Sequence, residues 1–398
     1  MKLFNSIRVN LLNPRTSASY SSAEYLIWPV VARGYFGCAK SPDMLDDMPA
    51  PPENADLPAR LLAAWSATEW RDVHVLIAVS GGPDSMALLR ALLTAKQQIG
   101  GVGKLFVGHV DHSLRGDDSA ADADWLADQC RRLAVPLFIE QAHVGAIAEV
   151  RGDGVEEAAR ATRYEILTRM AETLGARFVA LGHHRDDQIE TFLFRLFRGS
   201  GLRGLAGMPA VRTLSPSVTA VRPLLGISRD QIEAYLAAIG QEARTDATNL
   251  DADIAARNAI RRELLPQITQ RFGKSTEAAL LRTVQQAAEA QSLIETLAAQ
   301  LLERCQRQTE RSPSGAVAAI ELNLSPLADQ SPLLAAEALR LTWRDAAWPE
   351  QAMTHAWWRQ LAQFAQSPTA ASPLNLPGDV HASRPEPGLL SLRRGTMP

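Results

Sequence analysis

Between Val73 and Phe197 the apolar residues alternate between two textures. Short β-branched runs at Val73–Ser80, Lys104–His112, Pro136–Val144 and Arg177–His183 read as strands. Longer segments with apolar residues three or four apart, Ser85–Gln98, Asp118–Leu133, Val155–Leu174 and Asp186–Phe197, read as helices. Regular strand–helix alternation at this spacing predicts an α/β fold, a Rossmann-like parallel sheet with helices on both faces. Ligands of such sheets bind at the carboxyl ends of the strands. The chemically informative residues gather there, at Ser80–Ser85, Asp111–Arg115, Asp153–Glu156 and His183–Asp187.

After Gly199 the pattern changes. Gly199–Met208 is a glycine-dense loop, and Ser228 is positioned as the N-cap of a helix over Arg229–Ile239. A helix follows at Ala255–Phe272, then one long amphipathic helix or a helical hairpin from Ser275 to about Arg307. Two further helical stretches end near Gln366, and a Pro/Gly-punctuated tail suits a small β element. The expected division is a catalytic domain over 71–225, a mainly helical domain over 226–312 and a short C-terminal α/β segment over 313–398. Residues 1–70 are read as a disordered or non-native extension. Its first forty residues are rich in Ser, Asn and Arg with Glu24 as the only acid, and Asp43–Asp56 is acidic and proline-rich. A transit-like segment, or an upstream start with the working chain beginning near Met44 or Met48, are the other readings of that stretch.

Composition narrows the classes. With 46% hydrophobic and 21% charged residues over 398 positions the chain is globular and long enough for two or three domains. A net charge of −3 does not mark a nucleic-acid binder, so any such claim rests on local charge. Cys38, Cys130 and Cys305 are far apart, which argues against a zinc site, an iron–sulfur site or a disulfide framework and fits a reducing, cytoplasmic setting. No apolar run reaches the ~20 residues of a membrane span, so no membrane partner is expected.

The first strand runs directly into Ser80-Gly81-Gly82-Pro83-Asp84-Ser85 and then a helix. Two glycines permit a tight turn and close backbone approach, and the amides, hydroxyls and helix N-terminus favour an anion. The turn is neither a Walker P-loop nor the dinucleotide fingerprint. His109-Val110-Asp111-His112-Ser113-Leu114-Arg115 supplies an acid, two imidazoles and a guanidinium beside it. Asp153 and Glu156 open the long helix three residues apart and can face one point, which suits an ammonium group; Glu157 is explained as a dipole residue. Arg160 and Arg163 neutralise phosphate or bridge to acids on the helix surface. His183 and Asp187 line the site from the other side, and Asp84 or Asp187 can hold Mg²⁺ together with phosphate oxygens. Gln188 and Glu190 read as helix-start residues. The span Arg195–Arg229 contains Arg195, Arg198, Arg203, Arg212, Arg222 and Arg229 with no Asp or Glu, a composition suited to RNA phosphates.

Taken together, SGGPDS, HVDHSLRG, EEAARATRY, LGHHRDDQIET, RGSGLRGLAGM, RPLL, DATN and RNAIRRELLP resemble the tRNA(Ile)-lysidine synthase family of PP-loop ATP pyrophosphatases. They cover roughly Val73 to Pro266. The resemblance implies an adenine nucleotide α-hydrolase-like sheet, a helical tRNA-gripping domain and a carbon–nitrogen ligase. ATP adenylates C2–O of the wobble cytidine in the CAU anticodon of isoleucine tRNA, and the ε-amine of free L-lysine displaces AMP. It implies ATP binding by Ser80, Gly81, Gly82, Pro83, Asp84, Ser85, Asp111, His112, His183 and Asp187, with Mg²⁺ on Asp84 and Asp187. Asp153 and Glu156 receive the lysine amine, while Arg115 and Arg203 stabilise the adenylate or the flipped base. The nearest alternative is another PP-loop tRNA-modifying enzyme, such as a thiolation enzyme, against which the isolated cysteines argue. The segment after Asn323 matches weakly. The long helix from Ser275 is read as a homodimer surface in preference to ordinary core packing.

Overall fold

A computed structural model describes residues 56–111, 117–142, 155–244, 252–273, 275–313, 315–367 and 372–395, with side chains omitted at 117–120, 155–159 and 252–255. The described chain falls into two compact units. The first takes in the chain up to Gln188 together with Pro209–Ala255, and the second Ile189–Met208 with Ala256–Pro398.

In the first unit, α1 (Leu57–Ala64) leads to β1 (His74–Ala78), α2 (Pro83–Ile99), β2 (Leu105–Asp111), α3 (Asp117–Arg132), β3 (Leu137–Gln141), α4 (Val155–Thr173) and β4 (Ala176–Ala180). Helix α5 (Arg185–Phe197) begins in this unit and continues into the second. A short hairpin of β5 (Val211–Thr213) and β6 (Thr219–Val221) precedes α6 (Arg229–Ala238). Sheet order is β3-β2-β1-β4-β6-β5, parallel except for the edge strand β5. The α/β architecture expected from the alternation is therefore present, with each strand shorter than its apolar run. The hairpin was not foreseen; three-residue strands carry too little periodicity to register.

β1 lies in the middle of this order, so it is apolar on both faces. Val75, Ile77 and Val79 pack into one cluster with α1, α2 and α6, while Leu76 and Ala78 enter another with Ile166, Leu167 and Met170 of α4. Strand order reverses at β1: the chain steps outward through β2 and β3, then returns to β4 on the opposite side of β1. The carboxyl ends of β1 and β4 thus flank the crevice where open α/β sheets take ligands.

Two boundaries differ from expectation. Leu57, Leu61, Trp65 and Trp70 are buried in the first core, so folded structure begins well before residue 71. Ile232 and Leu236 of α6 join that same core, so the chain beyond 226 still belongs to the first unit. The capping box at Ser228 forms as anticipated, with Gln231 N–H donating to Ser228 Oγ at 3.3 Å and Ser228 N–H to Gln231 Oε1 at 3.0 Å.

α7 begins at the end of the first unit and continues into the second, running through Ala252–Ala259, a π-turn over Ile260–Leu264, and Leu265–Phe272. Pro266 lacks an N–H and crowds the preceding turn, which accounts for the break in an otherwise helical pattern. Then come α8 (Thr276–Arg304), β7 (Gln308–Arg311), β8 (Val317–Asn323), α9 (Pro332–Asp345), α10 (His355–Gln366), β9 (Leu374–Leu376), β10 (Val380–Ser383) and β11 (Leu389–Arg394). The five strands form an antiparallel sheet, β7-β8-β11-β10-β9, larger than the small element expected. Ala298, Leu301 and Cys305 at the end of α8 share its core with Trp343 and Trp358, so residue 312 does not separate two cores. α8 is one unbroken helix rather than a hairpin, with Leu293 and Leu297 exposed. Among the described residues no helix is long and apolar enough to cross a membrane.

Candidate active site

The turn after β1 holds itself in shape. Ser85 Oγ donates to Gly82 O at 2.9 Å and accepts from Ser80 N–H at 3.2 Å; Ser80 Oγ lies 3.3 Å from Ser85 Oγ and accepts from Gly82 N–H at 3.4 Å. Gly81 sits at φ +96°, a conformation that L side chains rarely adopt. Gly82 is the N-cap of α2 and Pro83 fills the first turn, where its fixed φ suits a helix start. No side chain caps this end, so the amides and dipole of a 17-residue helix are presented to whatever occupies the turn.

β4 is pressed against that helix start. A Cβ on Gly182 would lie 3.2 Å from the Asp84 carbonyl and the Ser85 nitrogen, so only glycine permits this approach without displacement. Immediately beyond stands His184, which sequence reasoning passed over in favour of its neighbour. His184 is 1% exposed. Its Nε2 lies 3.5 Å from Asp84 Oδ1 and 3.8 Å from Asp187 Oδ2, and its Nδ1 lies 3.5 Å from Asp186 Oδ2. Burial opposes its charge, but the carboxylates of Asp186, Asp84 and Asp187 outweigh that and push its pKa up to about 10. The Asp186 N–H, 3.2 Å from Nδ1, favours the neutral ring; three anions within 3.8 Å decide the matter against it.

The carboxylates are individually placed. Asp187 accepts from the His184 N–H at 2.9 Å, and Asp186 from the Arg229 N–H at 3.0 Å. Asp84 Oδ1 is buried without a hydrogen bond, since 3.5 Å to His184 is an ion-pair distance only. Burial raises the Asp187 pKa, and Asp84 and Asp186 add to the rise against the opposing His184 charge. One imidazolium faces three carboxylates, leaving an excess of negative charge. Among the described residues no group of three side chains could hold a metal by itself. A donor set of two carboxylates with an unsatisfied oxygen fits a cation that arrives with phosphate oxygens and water, as Mg²⁺ does.

The other histidine faces a different environment. Burial, followed by the charges of Arg222, Arg163, Arg160 and His184, pushes His183 down to about 3, and its Nδ1 is buried without a partner. Arg222 is 4% exposed and donates to Pro209 O at 2.6 Å and to Tyr164 Oη at 3.1 Å. The Arg212 guanidinium lies 5.2 Å from the centre of the Tyr164 ring.

Of the remaining expected site residues, Asp111 ends β2 and is buried, with its carbonyl accepting from Ala142 N–H at 2.7 Å. His109 Nδ1 is 2.8 Å from Val79 O and ties β2 to the end of β1. His112, Arg115 and Asp153 lie outside the described residues; Glu156 is placed only as a backbone position in the first turn of α4. In the second unit, Arg203 is paired with Glu337 and, at 2.7 Å, with Glu295. Arg195 pins the glycine loop by donating to Gly207 O at 2.7 Å and Gly204 O at 3.1 Å. Arg198 and Arg257 lie over the Phe194 ring at 5.0 and 5.4 Å.

The PP-loop domain profile (ATP_bind_3) matches residues 59–268. The chain belongs to the PP-loop domain family. The matched span takes in the turn after β1, the His184 cluster and the hairpin that carries Arg222. Curated relatives of this PP-loop chain include a tRNA(Ile)-lysidine synthase of Symbiobacterium thermophilum, 44% identical over 234 residues, covering 58% of this chain and 47% of the relative. Another, from Pseudomonas syringae pv. tomato, is 40% identical over 279 residues, covering 70% of this chain and 59% of the relative. The chain thus spans about half the length of the curated relatives it matches. Among solved structures, the U34-tRNA thiolase NcsA from Methanococcus maripaludis with its [4Fe-4S] cluster aligns with a TM-score of 0.51 at 16% identity, covering 58% of this chain and 78% of that one. That likeness is one of fold.

Proposed function

We propose that the chain acts as a tRNA(Ile)-lysidine synthase, a ligase that joins lysine to the wobble cytidine of a CAU-anticodon isoleucine tRNA at the expense of ATP. The observation that carries this is the uncapped start of α2 at the β1/β4 crevice, closed on its other side by the acid cluster around His184; the named relatives supply the acceptor. Ser80, Gly81, Gly82, Pro83, Asp84 and Ser85 receive the β- and γ-phosphates, with Asp111, His112, His183 and Asp187 around the rest of the nucleotide. The C2 oxygen of cytidine attacks the α-phosphorus, the bond to the β-phosphate oxygen breaks, and pyrophosphate leaves. The neutral ε-amine of lysine then attacks C2, AMP departs with its oxygen, and Asp153 or Glu156 takes the released proton. Holding the reactants in line and balancing phosphate charge is the enzyme's main contribution. Asp84 and Asp187 are the residues to hold Mg²⁺, which when bound neutralises phosphate charge.

Arg198 and Arg257, stacked on Phe194, offer an RNA-facing surface in the second unit. Arg115 and Arg203 are assigned to the adenylate or the flipped base, which requires Arg203 to exchange Glu295 and Glu337 for that ligand. Self-association along α8, where Leu293 and Leu297 stay exposed, belongs to the same reading. A thiolation enzyme would need a reactive thiolate; burial instead pushes Cys130 up to about 12 and also raises Cys305. Incubation with ATP, Mg²⁺, labelled lysine and the CAU-anticodon isoleucine tRNA is expected to give ATP-dependent lysine incorporation. Pyrophosphate exchange without incorporation would reassign the acceptor.

A further inference from the structure

Beyond α6 the segment Gln241–Arg244 lies against the turn after β1. Arg244 N–H donates to Gly81 O at 3.0 Å, and a Cβ on Gly82 would lie 4.0 Å from Arg244 O. The segment is itself fastened at both ends. Gln241 Oε1 accepts from Arg90 Nη1 of α2 at 2.7 Å, and Gln241 Nε2 donates to Gln129 Oε1 of α3 at 3.1 Å. Arg244 donates through Nη1 to Asp122 Oδ1 of α3 at 2.7 Å and through Nη2 to Ala121 O at 3.4 Å. Its guanidinium lies 5.7 Å from the centre of the Trp125 ring. Trp125 in turn backs the turn, since a Cβ on Gly81 would meet its ring at 3.5 Å. Trp125 and Ala243 both pack against the first core. The Gly81 peptide is thereby held from outside, by contacts that the hydrogen bonds within Ser80–Ser85 do not supply.

In a trans peptide the C=O and the following N–H point in opposite directions. Fixing Gly81 O on Arg244 therefore aims Gly82 N–H back across the turn, where its bond to Ser80 Oγ is long, 3.4 Å, and readily exchanged for an anion. A peptide between two glycines otherwise turns with little hindrance, and no side chain of its own holds Gly81 at φ +96°. We infer that Arg244 is a positioning residue of the phosphate turn. It acts through the Gly81 carbonyl, Trp125 and Asp122 to keep the Gly82 N–H aimed at the β- and γ-phosphates of ATP. This rests on the proposed function for the identity of the ligand. A donor already aimed needs no reorganisation when the phosphate arrives. Any residue but proline offers the backbone N–H; what arginine adds is the anchor to α3. Asp122 gives the role a sign. On charge alone, a carboxylate near a polyphosphate site opposes binding, and removing it strengthens binding. As the anchor of Arg244, its removal weakens binding.

The test is calorimetric titration of the full chain, with Mg²⁺ present, by ATP, inorganic pyrophosphate and AMP. Both partners of the Arg244–Asp122 pair keep more than a third of their side chains exposed, so the pair is modest in strength. Arg244→Ala is expected to weaken ATP and pyrophosphate about 3- to 10-fold, and AMP, which lacks the β- and γ-phosphates, by less than about 2-fold. Asp122→Asn is expected to weaken the same two ligands, and the double variant to bind no more weakly than Arg244→Ala alone. Arg244→Lys, which keeps the charge, is expected to recover part of the loss. Thermal unfolding of each variant verifies that the fold persists. An unmoved ATP affinity in Arg244→Ala overturns the role, and so does tighter ATP binding in Asp122→Asn. Equal losses for AMP and pyrophosphate also overturn it, since they mark a general disturbance of the unit rather than of the turn. If the wild-type protein binds neither ATP nor pyrophosphate, the reading of the turn falls and the role of Arg244 with it. If both bind in the expected pattern yet no lysine is joined to the tRNA, the functional reading falls alone.

Discussion

His183 and His184 are adjacent in sequence and opposite in chemistry. His184 is held between Asp84, Asp186 and Asp187 and carries a proton up to about pH 10; His183 lies among Arg160, Arg163 and Arg222 and is neutral down to about pH 3. Both are at the end of β4, both are largely enclosed, and burial disfavours the charged form of each. What separates them is the sign of the charge brought up by other elements. α2 and the first turn of α5 deliver carboxylates to one ring, and α4 and β6 deliver guanidiniums to the other. The crevice is thus divided by a two-residue step into a side suited to cations and a side suited to anions. The proposed reaction, which brings a polyphosphate and an amino acid together, would draw on both.

The acid side offers the largest expected effect. Asp84 combines an unsatisfied buried oxygen, the first turn of α2 and a place next to the phosphate-sized turn. Asp84→Asn keeps the shape and removes the charge, and pyrophosphate exchange is expected to fall by about 10³-fold or more, in line with the loss of a preorganised electrostatic group. Exchange retained at the wild-type rate would take Asp84 out of the site.

His184→Asn comes next. Removing the one cation set among three carboxylates leaves like charges facing one another; each carboxylate keeps about a third of its side chain exposed, so the cost falls below the ~3–5 kcal/mol of a fully buried pair. The variant is expected to unfold at correspondingly lower denaturant concentration, with His183→Asn far less affected at neutral pH. Equal losses at the two positions would show that the division between the two sides has no energetic weight.

This contrast also marks how far the sequence could be read. The strand-to-helix alternation, the turn at Ser80–Ser85 and the Ser228 cap are local patterns, and all stand where the periodicity put them. Within His183-His184 the pattern was silent, because which imidazole meets Asp84 depends on the side of β4 to which α2 docks, a tertiary fact. Gly182 carried a usable signal, a glycine at the end of an apolar strand, since such a residue marks close backbone approach. The acid-free run from Arg195 to Arg229 is less uniform in the fold than in composition. Absence of local acids says nothing of acids arriving from elsewhere. Arg203 finds Glu295 and Glu337, Arg229 finds Glu233, and Arg222 turns inward to Tyr164. Only contacts among distant segments separate a solvated arginine from a paired one or from one held open for a ligand.

The smallest expected effect tests the basic side without any substrate. The folded-state pKa of His183, about 3, lies below its ordinary value of 6.5, so between these values the unfolded chain takes up a proton that the native site refuses. The stability contributed by a neutral His183 is therefore complete above about pH 6.5 and is lost progressively as pH falls toward 3. The groups that set this are Arg222 from β6, Arg163 and Arg160 from α4, and the charged His184 beside it. One fully shifted proton changes stability by about 1.4 kcal/mol per pH unit. Carboxylates also titrate in this range, so the informative quantity is the difference between the wild-type protein and His183→Gln, which keeps a polar side chain but cannot titrate. Urea midpoints measured at pH 8, 6 and 5 are expected to fall more steeply in the wild type, the gap opening only below about pH 6.5. Parallel curves would mean that the ring takes up its proton in the native state as readily as in the unfolded one, and the neighbouring arginines would then be screened by solvent.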